Sequence, residues 1–189
     1  MAGEKIILYG SRYASTRRYA QALSEKTGIP AVRYQDAPEL SGMETLIYLG
    51  ALYAGGVLGL SKTLRHVSLR EGQRLILITV GLADPDKPEN RQNIRTALQR
   101  QLPAELLSRA EIAHLRGGVD YAKLSIVHRL MMAALYRSIR RIPAEKQTEE
   151  NRALMETYGK RVDFTDLRTL EPIIQKIQGS EAENRVENG

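Results

Sequence analysis

Short apolar runs that end at glycine recur along this chain, separated by polar or amphipathic stretches. Lys5-Ile6-Ile7-Leu8-Tyr9-Gly10 is the first. Its apolar centre, polar start and glycine stop predict a buried strand. Ser15 or Thr16 caps a predicted helix reaching Lys26, with Gly28 and Pro30 as the stop signal. Ala31-Val32-Arg33-Tyr34 reads as a short second strand nearer a sheet edge. Thr45–Leu49 reads as a third, ending at Gly50, and Leu60–Val67 as helix. Leu75–Val80, ending at Gly81, is the strongest strand pattern in the chain.

After the polar loop Ala83–Asn90, a helix is predicted to Gln101, and Pro103–Arg109 is a connector or a further helical turn. Glu111–Leu115 is the fifth strand, running into Arg116-Gly117-Gly118. A long helix over Ser125–Arg141 and a polar loop over Pro143–Glu150 follow. A last helix, capped by Thr165 or Thr169, runs to Ile177. Pro172 would sit inside a helix begun at Thr165, which favours the later start. The charged tail from Gly179 is predicted to be disordered, so the expected domain spans residues 1–178 and the tail 179–189.

Three of the strands, Ile6–Tyr9, Thr45–Leu49 and Leu75–Val80, are almost continuously apolar, as strands covered on both faces must be. With helices between them, the pattern predicts an α/β fold: a doubly wound five-stranded parallel sheet with helices on both faces. Right-handed crossovers give the strand order 2-1-3-4-5. Ligands of such sheets bind at the carboxyl ends of the strands, so the loops that follow strands are the candidate sites.

Composition narrows the chemistry. The 189 residues include no cysteine, which excludes disulfides, thiolate metal sites and cysteine nucleophiles and fits a cytoplasmic location. The run Ile6–Tyr9 is too short for a signal core, and no apolar run of about 18 residues exists to span a bilayer. His66, His114 and His128 are scattered without metal-ligand spacing, so no metal site is expected. The 28 Lys and Arg outnumber 22 Asp and Glu, a net charge of +6. That balance suits an anionic substrate, an anionic membrane surface, nucleic acid or a merely basic exterior. No helix-turn-helix, RNA-binding or OB-type signature supports a specific nucleic-acid partner.

Four segments carry candidate chemistry. Gly10-Ser11-Arg12-Tyr13-Ala14-Ser15-Thr16 joins the first strand to the first helix. Three hydroxyls and the unpaired N–H groups of a helix start suit a phosphate, although an ordinary Ser/Thr N-cap uses the same residue types. The segment has neither the Walker ending nor the Gly-x-Gly-x-x-Gly pattern. Gly50-Ala51-Leu52-Tyr53-Ala54-Gly55 offers glycines for close approach to a ring system and Tyr53 to stack on it. Val80-Gly81-Leu82-Ala83-Asp84 follows the strongest strand. The helix Ser125–Arg141 aligns Leu124, Val127, Met131, Leu135 and Ser138 on one face, with Arg129, Arg137, Arg140 and Arg141 towards its C-terminal half. This suits either packing on the sheet, with arginines favoured by the helix dipole, or an interfacial basic helix.

The first segment resembles the phosphate loop of flavodoxins, where hydroxyl and small residues alternate around the FMN phosphate. It is most similar to the flavodoxin-like branch containing menaquinone-dependent protoporphyrinogen oxidase, whose loop reads Ser-Thr-Arg-x-Gly-x-Thr. Ser11, Arg12 and Thr16 keep that pattern. Ala14 stands at the family's glycine, and would be strained if the position required positive φ. The segment 50–55 resembles the family's Gly-Ala-x-x-Tyr-Gly flavin loop, Gly117-Gly118-Val119-Asp120-Tyr121 its Gly-x-x-Tyr segment, and Val162-Asp163-Phe164-Thr165-Asp166 its Thr-Asp element. Arg168 replaces the acid of the family's Thr-x-x-Glu capping box.

The resemblance implies FMN as cofactor. It implies FMN contacts from Ser11, Arg12, Tyr13, Ala14, Ser15 and Thr16 and from Ala51, Leu52, Tyr53 and Ala54, with Gly81, Leu82, Gly117, Gly118 and Tyr121 completing the set. Gly81 and Leu82 would meet the isoalloxazine edge through backbone groups. With no tryptophan in the chain, the Trp/Tyr sandwich of small flavodoxins cannot form. The flavin performs the redox step, so no catalytic acid, base or nucleophile is required. The implied function is an oxidoreductase resembling protoporphyrinogen oxidase with a quinone acceptor. The alternative is a non-enzymatic FMN electron carrier, though such carriers are usually acidic and this chain's pI is about 9.6. The implied partners are a small-molecule or protein redox partner, with peripheral membrane or quinone contact through Ser125–Arg141 at the inner face of the membrane.

Overall fold

The computed structural model describes residues 4–12, 14–53 and 55–187, with the side chains of residues 150 and 180–187 left aside. Tyr13 and Ala54 lie outside the described residues. Five strands make the parallel sheet: β1 (Glu4–Gly10), β2 (Ala31–Arg33), β3 (Met43–Tyr53), β5 (Arg74–Gly81) and β6 (Ala110–Arg116). They lie in the order β2-β1-β3-β5-β6, which is the predicted 2-1-3-4-5. A short β4 (Gly56–Val57) turns back antiparallel on the end of β3.

Strand alternation divides the core into two layers. Ile7, Ile47, Leu49, Ile76 and Ile78 pack with Tyr19, Ala20 and Leu23 of α1 (Ala14–Thr27) and with Ile173, Ile174 and Ile177 of α7 (Glu171–Glu187). On the other face Ile6, Leu8, Leu46, Tyr48, Leu75 and Leu77 meet α2 (Leu60–Leu64), α3 (Pro88–Gln101) and α4 (Ala104–Ser108) through Leu60, Leu64, Ile94, Leu98 and Leu106. Each such leucine or isoleucine contributes about 1.5–3 kcal/mol. The two layers thus hold the carboxyl ends of the strands, and the loops after them, in fixed relation.

The rest of the chain departs from the sequence pattern. Gly118–Asp120 forms β7, paired antiparallel with β8 (Arg161–Asp163) far along the chain, as in Val119↔Val162. No local alternation signals strands of three residues. Between them, α5 (Ile126–Arg140) leads to α6 (Glu149–Thr157), where the sequence predicts polar loop up to residue 150. Thr148 caps α6 by accepting from the Asn151 N–H at 3.1 Å, with Glu149 in the first turn. Thr148 followed by acidic residues was therefore a usable start signal. The predicted helix from Leu60 stops at Leu64, short of Val67.

Neither Thr165 nor Thr169 caps the last helix. Asp166 accepts from the Arg168 N–H at 3.0 Å and starts a 3-10 turn, Leu167–Leu170. Only then does α7 begin, with Pro172 in its first turn where the missing N–H costs nothing. The helix continues past Gly179 to Glu187.

Candidate functional site

Loops after β1, β3, β5 and β6 converge at the carboxyl edge of the sheet, because parallel strands in register deliver them there. Gly10 pairs with Gly50, Ala51 with Val80, and Gly81 with Arg116. The glycines at these ends serve chain-to-chain contact. A Cβ on Gly10 would strike the Leu58 carbonyl, and one on Gly50 would strike Val57. The hairpin from β3 to β4 therefore folds over the ends of β1 and β3. Tyr48, 1% exposed, donates to the Leu58 carbonyl at 2.7 Å and anchors that fold. Burial pushes the Tyr48 hydroxyl pKa well up, so it remains a donor.

The first loop is tied to the last. Ser15 Oγ accepts the Gly118 N–H at 2.8 Å, and the Gly117 N–H donates to the Gly81 carbonyl at 2.7 Å. A hydroxyl that accepts still has its own proton to donate. Ala14 is the first residue of α1 and helical, so the position does not require glycine's positive φ and alanine is unstrained there. Ser11 is half-buried, Arg12 and Ala14 are exposed, and Thr16 is buried at 1% exposure. The first turn of α1 carries no acidic side chain. Hydroxyls, helix-start N–H groups and the exposed Arg12 make a donor set that fits a phosphate.

Tyr53, at the end of β3, is held from several sides. The Arg12 guanidinium stands 5.5 Å from its ring centroid. The His128 ring of α5 meets it edge-on, 5.4 Å away at 72°. The Tyr53 hydroxyl lies 3.9 Å from Met131 Sδ. The phosphate-loop candidate, the ring-stacking candidate and the long basic helix are thereby in contact. Leu52 covers Gly81, 2.6 Å from where a Cβ would stand.

Residues 6–147 match the flavodoxin domain family. The chain belongs to that family. No curated protein matches significantly. Among solved structures, this flavodoxin-family chain is similar to oxidised Flavodoxin 2 from Bacillus cereus, with 14% identity over 81% of this chain and 93% of that one and a TM-score of 0.42. It is also similar to the Fusobacterium nucleatum flavodoxin bound to flavin mononucleotide (12% identity, 62% and 71% of the two chains, TM-score 0.42). A third is a flavoprotein in complex with FMN from Lactobacillus acidophilus (8% identity, 61% and 93%, TM-score 0.37).

Helix α5 does not pack its predicted apolar face on the sheet of this flavodoxin-family domain. Val127, Met131 and Leu135 are exposed, together with Ile126 and Leu130. The buried positions are His128 and Ile139. The sheet's two faces are already covered by other helices, so α5 lies outside both layers. It rests instead on the α6 region, where Tyr136 stacks on Tyr158 at 4.1 Å and 12°. Tyr121, 7% exposed, packs edge-on to Tyr158 at 5.3 Å. Its hydroxyl is buried without a hydrogen-bond partner, and burial followed by the neighbouring Tyr158 pushes its pKa up to about 12.

The loop after β5 meets a residue that sequence reasoning did not single out. Arg116 Nη2 donates to the Leu82 carbonyl at 3.2 Å, and its guanidinium lies 3.9 Å over the Phe164 ring. Tyr19 was also missed. Its fully buried hydroxyl donates to the Arg116 carbonyl at 2.8 Å and accepts the Asp166 N–H at 2.9 Å. Arg18 adds an ion pair to Asp163 at 2.6 Å. Hydrogen bonds from Thr165, then Arg18, hold the Asp163 carboxyl below its ordinary range. Among the described residues no cluster of His, Asp and Glu could hold a metal ion, and no helix is long and apolar enough to cross a membrane.

Proposed function

We propose that this chain is an FMN-dependent oxidoreductase that works at an anionic surface. FMN is the cofactor that family membership assigns. Its phosphate would meet Ser11, Ser15 and the N–H groups opening α1. Its ring would lie among Ala51, Leu52, Tyr53, Gly81, Leu82, Gly117 and Gly118, near Tyr121. The donor set described above supports this seat, since a dianion there meets partial positive charge and a first helical turn without an acidic side chain. Bound FMN supplies the redox chemistry. The chain's own groups hold and orient it.

The observation that carries the choice of partner is the outward face of α5. Ile126, Val127 and Leu130 are 72%, 64% and 66% exposed on one helix, flanked by exposed Lys123, Arg129, Arg137, Arg140 and Arg141. An apolar stripe bordered by cations suits the interface of an anionic bilayer. Because α5 touches Tyr53, a quinone in that bilayer would reach the flavin mouth. Arginines on the same rim suit the carboxylates of a porphyrinogen substrate. The reading is therefore a protoporphyrinogen-oxidase-like activity with a quinone acceptor.

The test supplies FMN-loaded protein with protoporphyrinogen, a menaquinone analogue and anionic vesicles, and follows porphyrin fluorescence. Porphyrin formed well above the autoxidation blank supports the reading. Porphyrin at the blank, with brisk cytochrome reduction, refutes it in favour of an electron carrier. Arg137→Glu with Arg140→Glu is expected to reduce kcat/KM and vesicle binding while FMN content is unchanged.

A further inference from the structure

Helix α5 buries the wrong residue for an ordinary amphipathic helix. In its first two turns Ile126, Val127, Leu130 and Met131 face water, at 72%, 64%, 66% and 47% exposure, while His128 is 7% exposed. A rotation of about 100°, one residue's worth, would bury an aliphatic side chain in place of the imidazole. Hydrophobic burial alone therefore does not select this register. Ser125 Oγ accepts the His128 N–H at 3.3 Å and sets the start of the helix. One contact that the register secures is with Tyr53, centroid to centroid 5.4 Å at 72°.

We infer that His128 is a positioning residue for Tyr53. The inference rests on the reading above, in which Tyr53 lies against the flavin ring. A tyrosine at the end of a strand can turn about two side-chain torsions. Here the imidazole ring meets it in a T-shaped contact, the Arg12 guanidinium stands 5.5 Å away, and Met131 Sδ lies 3.9 Å from its hydroxyl. Edge-to-face ring geometry is directional, so the pair sets an angle as well as a distance. A ring already held in its stacking pose loses less freedom when a ligand arrives. His128 thus acts on FMN through Tyr53.

The experiment compares full-length wild type with His128→Ala, His128→Leu, His128→Phe and Tyr53→Leu, using FMN itself. Fluorescence titration gives Kd and the quenching of bound flavin, which a stacked tyrosine causes. Far-UV circular dichroism checks folding. His128→Ala and His128→Leu are expected to weaken FMN binding by roughly 2- to 10-fold, the worth of an aromatic pair, and to relieve part of the quenching. His128→Phe, which keeps an aromatic ring against Tyr53, restores both. Leucine fills the space without a ring, so a purely structural role makes the leucine and phenylalanine variants equal. That equality overturns the inference, even if the alanine variant fails to fold. Wild-type quenching in His128→Leu with lost quenching in Tyr53→Leu also overturns it, and leaves the FMN seat standing. Unchanged quenching in Tyr53→Leu overturns the seat and the inference together.

Discussion

Tyr19→Phe isolates the junction that joins the phosphate-side helix to the far side of the site. Tyr19 is 0% exposed, and its hydroxyl serves two backbone groups far away in sequence. It donates to the Arg116 carbonyl at the end of β6 at 2.8 Å and accepts the Asp166 N–H before α7 at 2.9 Å. Phenylalanine keeps the ring and its packing, so no cavity term arises. What is lost is two neutral hydrogen bonds, about 0.5–1.5 kcal/mol each in net terms. The sum is about 1–3 kcal/mol, centred near 2. For a chain of this size that lowers Tm by roughly 4–8 °C. Urea unfolding followed by circular dichroism measures the change, and an unaltered m-value shows that the unfolded state is not its source. A loss below about 0.5 kcal/mol, the range of surface substitutions, would refute the claim that this hydroxyl holds the junction.

Further expectations follow from the same geometry. Ala14→Gly is expected to leave the fold intact and to weaken α1 by up to about 1 kcal/mol, because glycine costs more than alanine in a helix; tighter FMN binding in that variant would show that the loop wants a relaxed backbone after all. Thr16→Ala is expected to weaken FMN by about 1.5–3 kcal/mol if its hydroxyl donates to the phosphate, and unchanged affinity by calorimetry would show that this buried hydroxyl does not reach it. His114, hydrogen-bonded to Thr79 Oγ1 at 2.8 Å, has its pKa lowered below 6.5 by burial and then by Arg91. The native state therefore takes up its proton less readily than the unfolded chain does. Its contribution to stability is whole above about pH 6.5 and declines as pH falls below it. Urea midpoints from pH 7.5 to 5 should show that decline, and His114→Gln should flatten it.

Periodicity made the sheet legible. Ile6–Tyr9, Thr45–Leu49 and Leu75–Val80 are almost continuously apolar because both faces of each strand are covered, and that continuity points to a parallel α/β sheet before any contact is known. The loops after those strands were legible for the same reason, since parallel topology sends them all to one edge. The +6 charge and the absence of cysteine were likewise properties of the chain alone.

Tertiary structure decided what the loops do with their residues. The glycines at positions 10 and 50 look like room for a ligand in sequence, yet in space they admit Leu58 and Val57 of the adjoining hairpin. Strands β7 and β8, three residues each, carry no periodic signal and exist only because they find each other. The stripe Val127, Met131 and Leu135 predicts helix correctly, but a one-dimensional pattern cannot say whether a core surface remains for it to cover. The sheet's faces are already occupied by other helices, so α5 turns that stripe outward and brings His128 to Tyr53. Local spacing fixes which residues share a helical face. Which way the face points depends on the surfaces left over after every other element has packed.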